Sequence, residues 1–196
     1  MTIAAIVLAA GRSSRMGPRN KLLEIVDGKP IIARVVSAAL GSGASPVFVV
    51  TGFEADRVAA ALHGLNVTIV NNSAFEQGLS TSLLAGLAVL SPDCAGAVIL
   101  LGDMPQIAPS DIASLKSAAK DRNAICVPVS NGKVGNPILW GAAYFTEMMQ
   151  LTGDAGAKQL LAQHPECIVE VPIASDRIFT DVDTPSDLAR LTKSVE

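Results

Sequence analysis

The sequence predicts an α/β protein with a mostly parallel central sheet, and three observations carry that expectation. Short β-rich apolar runs alternate with longer stretches of helical spacing, the pattern of repeated βα units. Aromatic residues make up only 4% of a chain that is 49% hydrophobic, so Ala, Val, Ile and Leu must fill the core, as in sheets covered by small-residue helices. A length of 196 residues suits one compact domain spanning 1–196, and the composition is too apolar for a disordered chain.

The elements follow in order. Ile3 to Ala9 reads as a buried strand. Pro30 opens a helix whose positions Ile31, Ile32, Val35, Val36, Ala39 and Leu40 keep one apolar face, and Gly41 and Gly43 stop it. The run PVFVVTG is a strand, Glu54 to Leu62 a helix, NVTIV a strand, and Ser82 to Leu90 a helix with Leu83, Leu84, Leu87 and Leu90 inward. AGAVILLGD is the next strand, Pro109 begins a helix to about Ala119, and NAICVPV is a further strand. From Asn131 to Phe179 the rhythm changes to a turn, a short strand, two helices and a strand pair, an insertion in the C-terminal half before a last helix from about Pro185 to Leu191. No linker-like stretch, internal repeat or low-complexity segment interrupts the chain.

Charge and composition exclude several functions. With 15 basic and 18 acidic residues the net charge is −3, without the cationic excess that drives nucleic-acid binding. No apolar run reaches the ~18 residues of a membrane span, and the apolar start lacks the basic flank and cleavage site of a signal peptide. A cytoplasmic location is expected. Cys94, Cys126 and Cys167 form no CxxC pair, so they read as reduced core residues rather than as a disulfide framework or zinc site. His63 and His164 lack partners at metal or triad spacing, and no GxSxG or HExxH motif is present.

In open α/β sheets ligands bind beyond the carboxyl ends of the strands. The first such loop reads LAAGRSSRMGPRNK, where small residues let backbone amides approach an anion and Arg12, Arg15, Arg19 and Lys21 can neutralise phosphate charge. It matches neither the P-loop nor the dinucleotide pattern, and a solvated basic turn is the plain alternative. In GDMP, Asp103 stands at the end of a central strand, where a carboxylate could join phosphate oxygens around a hard cation or simply form the turn before Pro105. Asp181 and Asp183 alternate along what reads as a short strand, so one of them faces the site; Asp183 is preferred. Thr184, Pro185 and Asp187 read as the N-cap, first-turn proline and capping-box acid of the last helix. Ser80 and Ser82, near Gly78, could read a base edge or cap a helix, and Thr51 sits after another strand.

The string VLAAGRSSRMGPRNKLL resembles the opening signature of the MobA-like nucleotidyltransferases, in particular the molybdenum cofactor cytidylyltransferase family. The resemblance continues through GKPII, NNSAFEQGLSTSLLAGL, GDMPQI, GNP, GDAGAKQLL and DVDTPSDL, over nearly the whole chain. It implies a three-layer, Rossmann-like nucleotidyltransferase fold that transfers CMP from CTP to the phosphate of a molybdopterin-type cofactor and releases pyrophosphate. It further implies that Leu8, Ala9, Ala10, Gly11 and Arg12 wrap the nucleotide, and that Arg15 and Lys21 hold its outer phosphates. Asp103 and Asp183 would ligate Mg2+. The middle segment with Thr51, Gly78, Ser80 and Ser82 would pass beside the base, where Ala10 favours a pyrimidine over a purine. Gly135, Asn136, Pro137, Asp154 and Lys158 would face the acceptor, although Asp154 and Lys158 also suit an ordinary helix start with an i+4 pair. The product would pass to a molybdenum hydroxylase. Two other readings are a cytidylyltransferase for methylerythritol 4-phosphate or a sugar phosphate, and a cofactor-carrying binding protein.

Overall fold

In the computed structural model, which describes residues 1–12 and 19–193, eight strands of the described chain form one sheet. Its centre is β1 (Ile3–Ala9), buried along its whole length and hydrogen-bonded in parallel to β4 (Val47–Thr51) on one side and β6 (Gly96–Leu101) on the other. Beyond β4 lies the parallel edge strand β5 (Thr68–Asn71). A small antiparallel ribbon, β2 (Ile25–Val26) with β3 (Lys29–Pro30), stands apart from this sheet. A β1 buried on both faces demands the continuous apolar run the sequence supplies.

Side-chain alternation sends β1 into two cores. Ile3, Ala5, Val7 and Ala9 join α1 (Ile31–Gly41) and α4 (Pro109–Ala118), whereas Ala4, Ile6 and Leu8 meet α3 (Leu79–Ala88). The result is a sheet with a helical layer on each face. Packing under α3 is close: a Cβ on Gly86 would come 2.5 Å from Ile6 Cγ2, so only glycine lets the helix approach β1 there. Leu83, 1% exposed beside it, is worth about 2–5 kcal/mol if truncated to Ala.

The C-terminal half departs from the parallel pattern. β9 (Ile138–Gly141) runs antiparallel between β6 and β7 (Ile125–Ser130), β8 (Lys133–Val134) pairs with the end of β7, and β10 (Ile168–Pro172) closes the far edge parallel to β7. The two helices expected here are a single turn of α5 (Phe145–Met148) and the 3-10 segment Ala157–Gln163, and the expected strand pair is the lone edge strand β10. α2 (Ala55–Ala61) matches its expectation to within a residue at each end. α3 begins three residues earlier than the apolar pattern suggests, because Leu79 is 38% exposed and adds nothing to the inward stripe. The last helix, α6 (Pro185–Lys193), starts at its proline, and Thr184 and Asp187 exchange the reciprocal bonds of a capping box.

Among the described residues no helix is long and apolar enough to cross a membrane. All three cysteines are free; Cys94 and Cys126 are buried, and Cys167 is partly exposed.

Candidate active site

After β1 the chain turns one way, through α1 to β4, while β6 lies on the opposite side of β1. This is the reversal in strand order at which open α/β sheets form their crevice. A cleft of about 360 Å3 opens there. Leu8 to Arg12 form its floor, Lys21 and Asp103 one wall, and Phe75, Glu76, Gly78, Leu79 and Ser82 the other, with Asp154 at the rim. A Cβ on Gly11 would meet nothing within 4 Å, so the backbone faces open space at this point.

Three acids gather at the end of the cleft. Lys21 Nζ donates to Asp103 Oδ2 at 2.6 Å and to Asp183 Oδ1 at 2.7 Å, bridging an acid after β6 and one before α6. Burial alone would lower the pKa of Lys21, but the charges and hydrogen bonds of Asp103 and Asp183 outweigh it and hold the ammonium above its ordinary value. The Asp181 carboxyl is raised instead, by burial first and then by repulsion from Asp103 and Asp183. The Val182 amide donates to the Asp103 carbonyl at 3.0 Å and ties the two acid-bearing segments together. Residues 180–184 are not a strand: no neighbouring strand pairs with them, so the expectation that Asp181 and Asp183 face opposite ways on a pleated element does not apply.

The donor set suits a hard divalent ion. Asp103 Oδ1 is buried without a hydrogen-bond partner, and the Asp103 and Asp183 carboxylates already converge on one cation. Among the described residues no group of three or more His, Cys, Asp or Glu is spaced to cage a metal alone. Two carboxylates completed by phosphate oxygens is the pattern expected of Mg2+.

The opposite wall is built by the NNSAFEQG loop that leads into α3. Asn72, 5% exposed, donates through Nδ2 to Thr81 Oγ1 at 2.9 Å and Ser82 Oγ at 3.1 Å, and accepts the Ala74 amide through Oδ1. These bonds fold residues 72–78 over the start of α3 and bring Phe75 and Glu76 to the cleft. Arg12 pairs with Glu76 across the mouth, its guanidinium 5.8 Å from the centre of the Phe75 ring. Gly78, at φ +114°, lies so close to the turn at Gly153 that a Cβ would stand 2.3 Å from the Gly153 carbonyl. The Ser80 amide donates to the same carbonyl at 3.0 Å.

The residues expected from the sequence divide accordingly. Leu8, Ala9, Ala10, Gly11, Arg12, Lys21, Gly78, Ser82 and Asp103 line the cleft, and Asp183 reaches it through Lys21. Arg15 lies outside the described residues. Thr51 and Ser80 are buried off the cleft wall: alternation along β4 places Thr51 with Val47 and Val49 on the α1 face, and Ser80 is 2% exposed. Gly135, Asn136 and Lys158 line an adjoining hollow of about 210 Å3 with Asp181, while Pro137 is buried. Asp154 stands with the first cleft rather than with them, because its turn packs on Gly78. Lys158 does not form the i+4 pair; it donates to the Val134 carbonyl at 3.0 Å. Leu22, Phe75, Glu76 and Leu79 also line the cleft and Asn72 braces its wall, none of them a site residue by sequence reasoning. The Asn72–Ser82 spacing, with Gly78 before a helix, was the available signal.

The family model described as "MobA-like NTP transferase domain" matches residues 5–168. The chain is 29% identical over 187 residues to the molybdenum cofactor cytidylyltransferase of Escherichia coli strain K12, covering 94% of this chain and 93% of that protein. It is 28% identical over 195 residues to the bifunctional protein GlmU of Sorangium cellulosum, of which it spans only 38%. Among solved structures, Rv0371c of Mycobacterium tuberculosis H37Rv superposes with a TM-score of 0.89 at 29% identity, over 98% of each chain. A second structure of Rv0371c, described in complex with manganese, gives a TM-score of 0.85 at 27% identity over the full length of both chains.

Proposed function

Since this chain belongs to the MobA-like NTP transferase family, we propose that its cleft transfers CMP from CTP to the phosphate of a molybdopterin-type cofactor, with Mg2+ as the metal. The observation that carries this reading is the convergence of Lys21, Asp103 and Asp183 at the end of a cleft floored by the Ala9–Arg12 backbone. The similarity to the E. coli cytidylyltransferase over nearly its whole length supports the choice of nucleotide and acceptor, and the manganese complex of Rv0371c supports a divalent ion.

In this reading the backbone of residues 9–12 cradles the triphosphate, and Ser82 lies beside the base. Lys21, together with Arg15, counters charge on the outer phosphates. An oxygen of the acceptor phosphate attacks the α-phosphorus in line. The new O–P bond forms as the bond to the bridging oxygen breaks, and its electron pair leaves with pyrophosphate. Positioning and charge stabilisation suffice, with no covalent enzyme intermediate. Mg2+ held by Asp103 and Asp183 would supply charge neutralisation on the phosphates. The hollow beside Asn136 and Lys158 would receive the acceptor, whose product would go to a molybdenum hydroxylase.

Pyrophosphate release measured with CTP, GTP and ATP against molybdenum cofactor, methylerythritol 4-phosphate and a sugar phosphate tests this assignment. The reading expects turnover with CTP and molybdenum cofactor, dependent on Mg2+. Turnover only with another acceptor would replace the substrate. Cofactor binding without any nucleotide turnover would favour a carrier.

A further inference from the structure

The two acid-bearing segments are joined a second time, away from the cleft. Asp111 lies eight positions after Asp103, in the first turn of α4, with its side chain only 2% exposed. Arg177 lies six positions before Asp183, in the 3-10 turn Asp176–Phe179, with its side chain 33% exposed. The guanidinium meets the carboxylate edge to edge: Nε donates to Asp111 Oδ2 at 2.7 Å and a terminal nitrogen donates to Oδ1 at 2.6 Å. Oδ2 also accepts the Ala108 amide at 2.9 Å, which fixes the carboxylate to the start of the helix that the Asp103 loop feeds.

We infer that the Asp111–Arg177 pair is a clamp that positions Asp103 and Asp183 relative to each other, with Arg177 acting as a positioning residue for the metal-binding acids. This inference rests on the nucleotidyl-transfer reading above.

Planar, doubly bonded pairs fix orientation as well as distance, which a single lysine contact does not. The need for such a device follows from local structure. Residues 180–184 have no strand partner, so side-chain and loop contacts set their place: Val182 bonds the Asp103 carbonyl, Asp183 accepts from Lys21, and the segment is preceded by Ile178. The Ile178 carbonyl accepts the Asn136 amide at 2.9 Å, and its side chain packs on Gly135, where a Cβ would come 2.7 Å from Ile178 Cγ1. The Ile178 contacts hold the segment to the acceptor-side turn, whereas Val182 and Lys21 hold it to the Asp103 loop. Arg177 adds a bidentate tie to α4 that does not depend on Lys21. The Asp103 and Asp183 carboxylates, both held on Lys21, repel one another when Lys21 turns to a phosphate, and a rigid frame is what keeps them converged at that moment.

The test compares wild type with Arg177→Ala, Arg177→Lys and, as a core control that removes no polar contact, Val36→Ala in α1. Two quantities are read: Mn2+ affinity in the presence of CTP, by electron paramagnetic resonance, and amide hydrogen exchange at Val182. The clamp predicts Mn2+ binding about tenfold weaker in Arg177→Ala, partly restored in Arg177→Lys, with faster exchange at Val182 in Arg177→Ala. Val36→Ala lowers the melting temperature but keeps wild-type Mn2+ affinity. Wild-type Mn2+ affinity in Arg177→Ala overturns the clamp, as does a loss that Val36→Ala reproduces. If Arg177→Ala does not fold, the same two readings on Arg177→Lys decide. A wild-type protein that binds no Mn2+ with CTP overturns the nucleotidyl-transfer reading instead; the positional tie is then judged on Val182, where unchanged exchange overturns it.

Discussion

Lys21 and Asp103 form an ion pair 2.6 Å long although 82 positions separate them in the chain, and that pair joins the loop after β1 to the loop after β6 across the strand-order reversal. The same ammonium also neutralises Asp183, so one side chain balances both candidate metal ligands. Lys21→Ala is expected to slow nucleotidyl transfer by about 100-fold or more, the scale of losing one donor that stabilises developing charge. Asp103→Ala should do the same. Steady-state pyrophosphate release on purified variants with wild-type circular dichroism checks both, and near-normal turnover in either would remove that residue from the chemistry.

Gly78 is expected to tolerate no side chain. At φ +114° any other residue is strained by roughly 1–3 kcal/mol, and the added Cβ meets the Gly153 carbonyl. Gly78→Ala should lower stability in urea by about 2 kcal/mol or more and raise the KM for the nucleotide, since the cleft wall moves with the turn. A variant matching wild type in both would mean that the 78–80 and 152–155 segments separate easily.

Ala10 places its methyl against the wall of the cleft, close to Gly52 and Phe75. Ala10→Gly is expected to shift selectivity from CTP toward GTP by about tenfold, within the ~1–3 kcal/mol a methyl-scale change in a pocket is worth. The ratio of kcat/KM for the two nucleotides measures it. An unchanged ratio would move base discrimination to the Gly78–Ser82 wall.

Asp187 gives a pH signature. Hydrogen bonds from the Thr184 hydroxyl and amide hold its carboxyl down at about 2, below the ordinary aspartate value of 3.8. A depressed folded-state pKa contributes stability that is fully present above the unfolded value and is lost as the pH falls through the folded one. Asp187→Asn should therefore melt lower than wild type above about pH 4, and the gap should narrow between about pH 4 and pH 2. A gap constant across that window would contradict the capping role.

Much of the N-terminal half was legible because each element answers to a local rule. β1 is a continuous apolar run, α1 opens after a proline and keeps one face, and the cleft residues 8–12 and Asp103 lie at or just past the carboxyl ends of strands, with Lys21 in the loop that follows β1. Long-range pairing was not legible. Nothing in ILWG states that β9 will enter antiparallel between β6 and β7, since its partners lie elsewhere in the chain. The place of Phe75 and Glu76 at the cleft was not legible for a similar reason: a buried asparagine sets it through side-chain bonds to α3, which no local periodicity states. Asp154, which the family resemblance places with the acceptor residues, lines the first cleft because its turn packs on Gly78, a long-range contact that no local pattern states.

The most direct measurement is the anomalous scattering of manganese in crystals grown with CTP and Mn2+. The account predicts a manganese peak shared by Asp103 and Asp183, the triphosphate along the Ala9–Arg12 backbone, and Lys21 turned from the acids to a phosphate. Manganese and nucleotide bound together at any other place on the protein, with Lys21 still bridging the two aspartates, would contradict it.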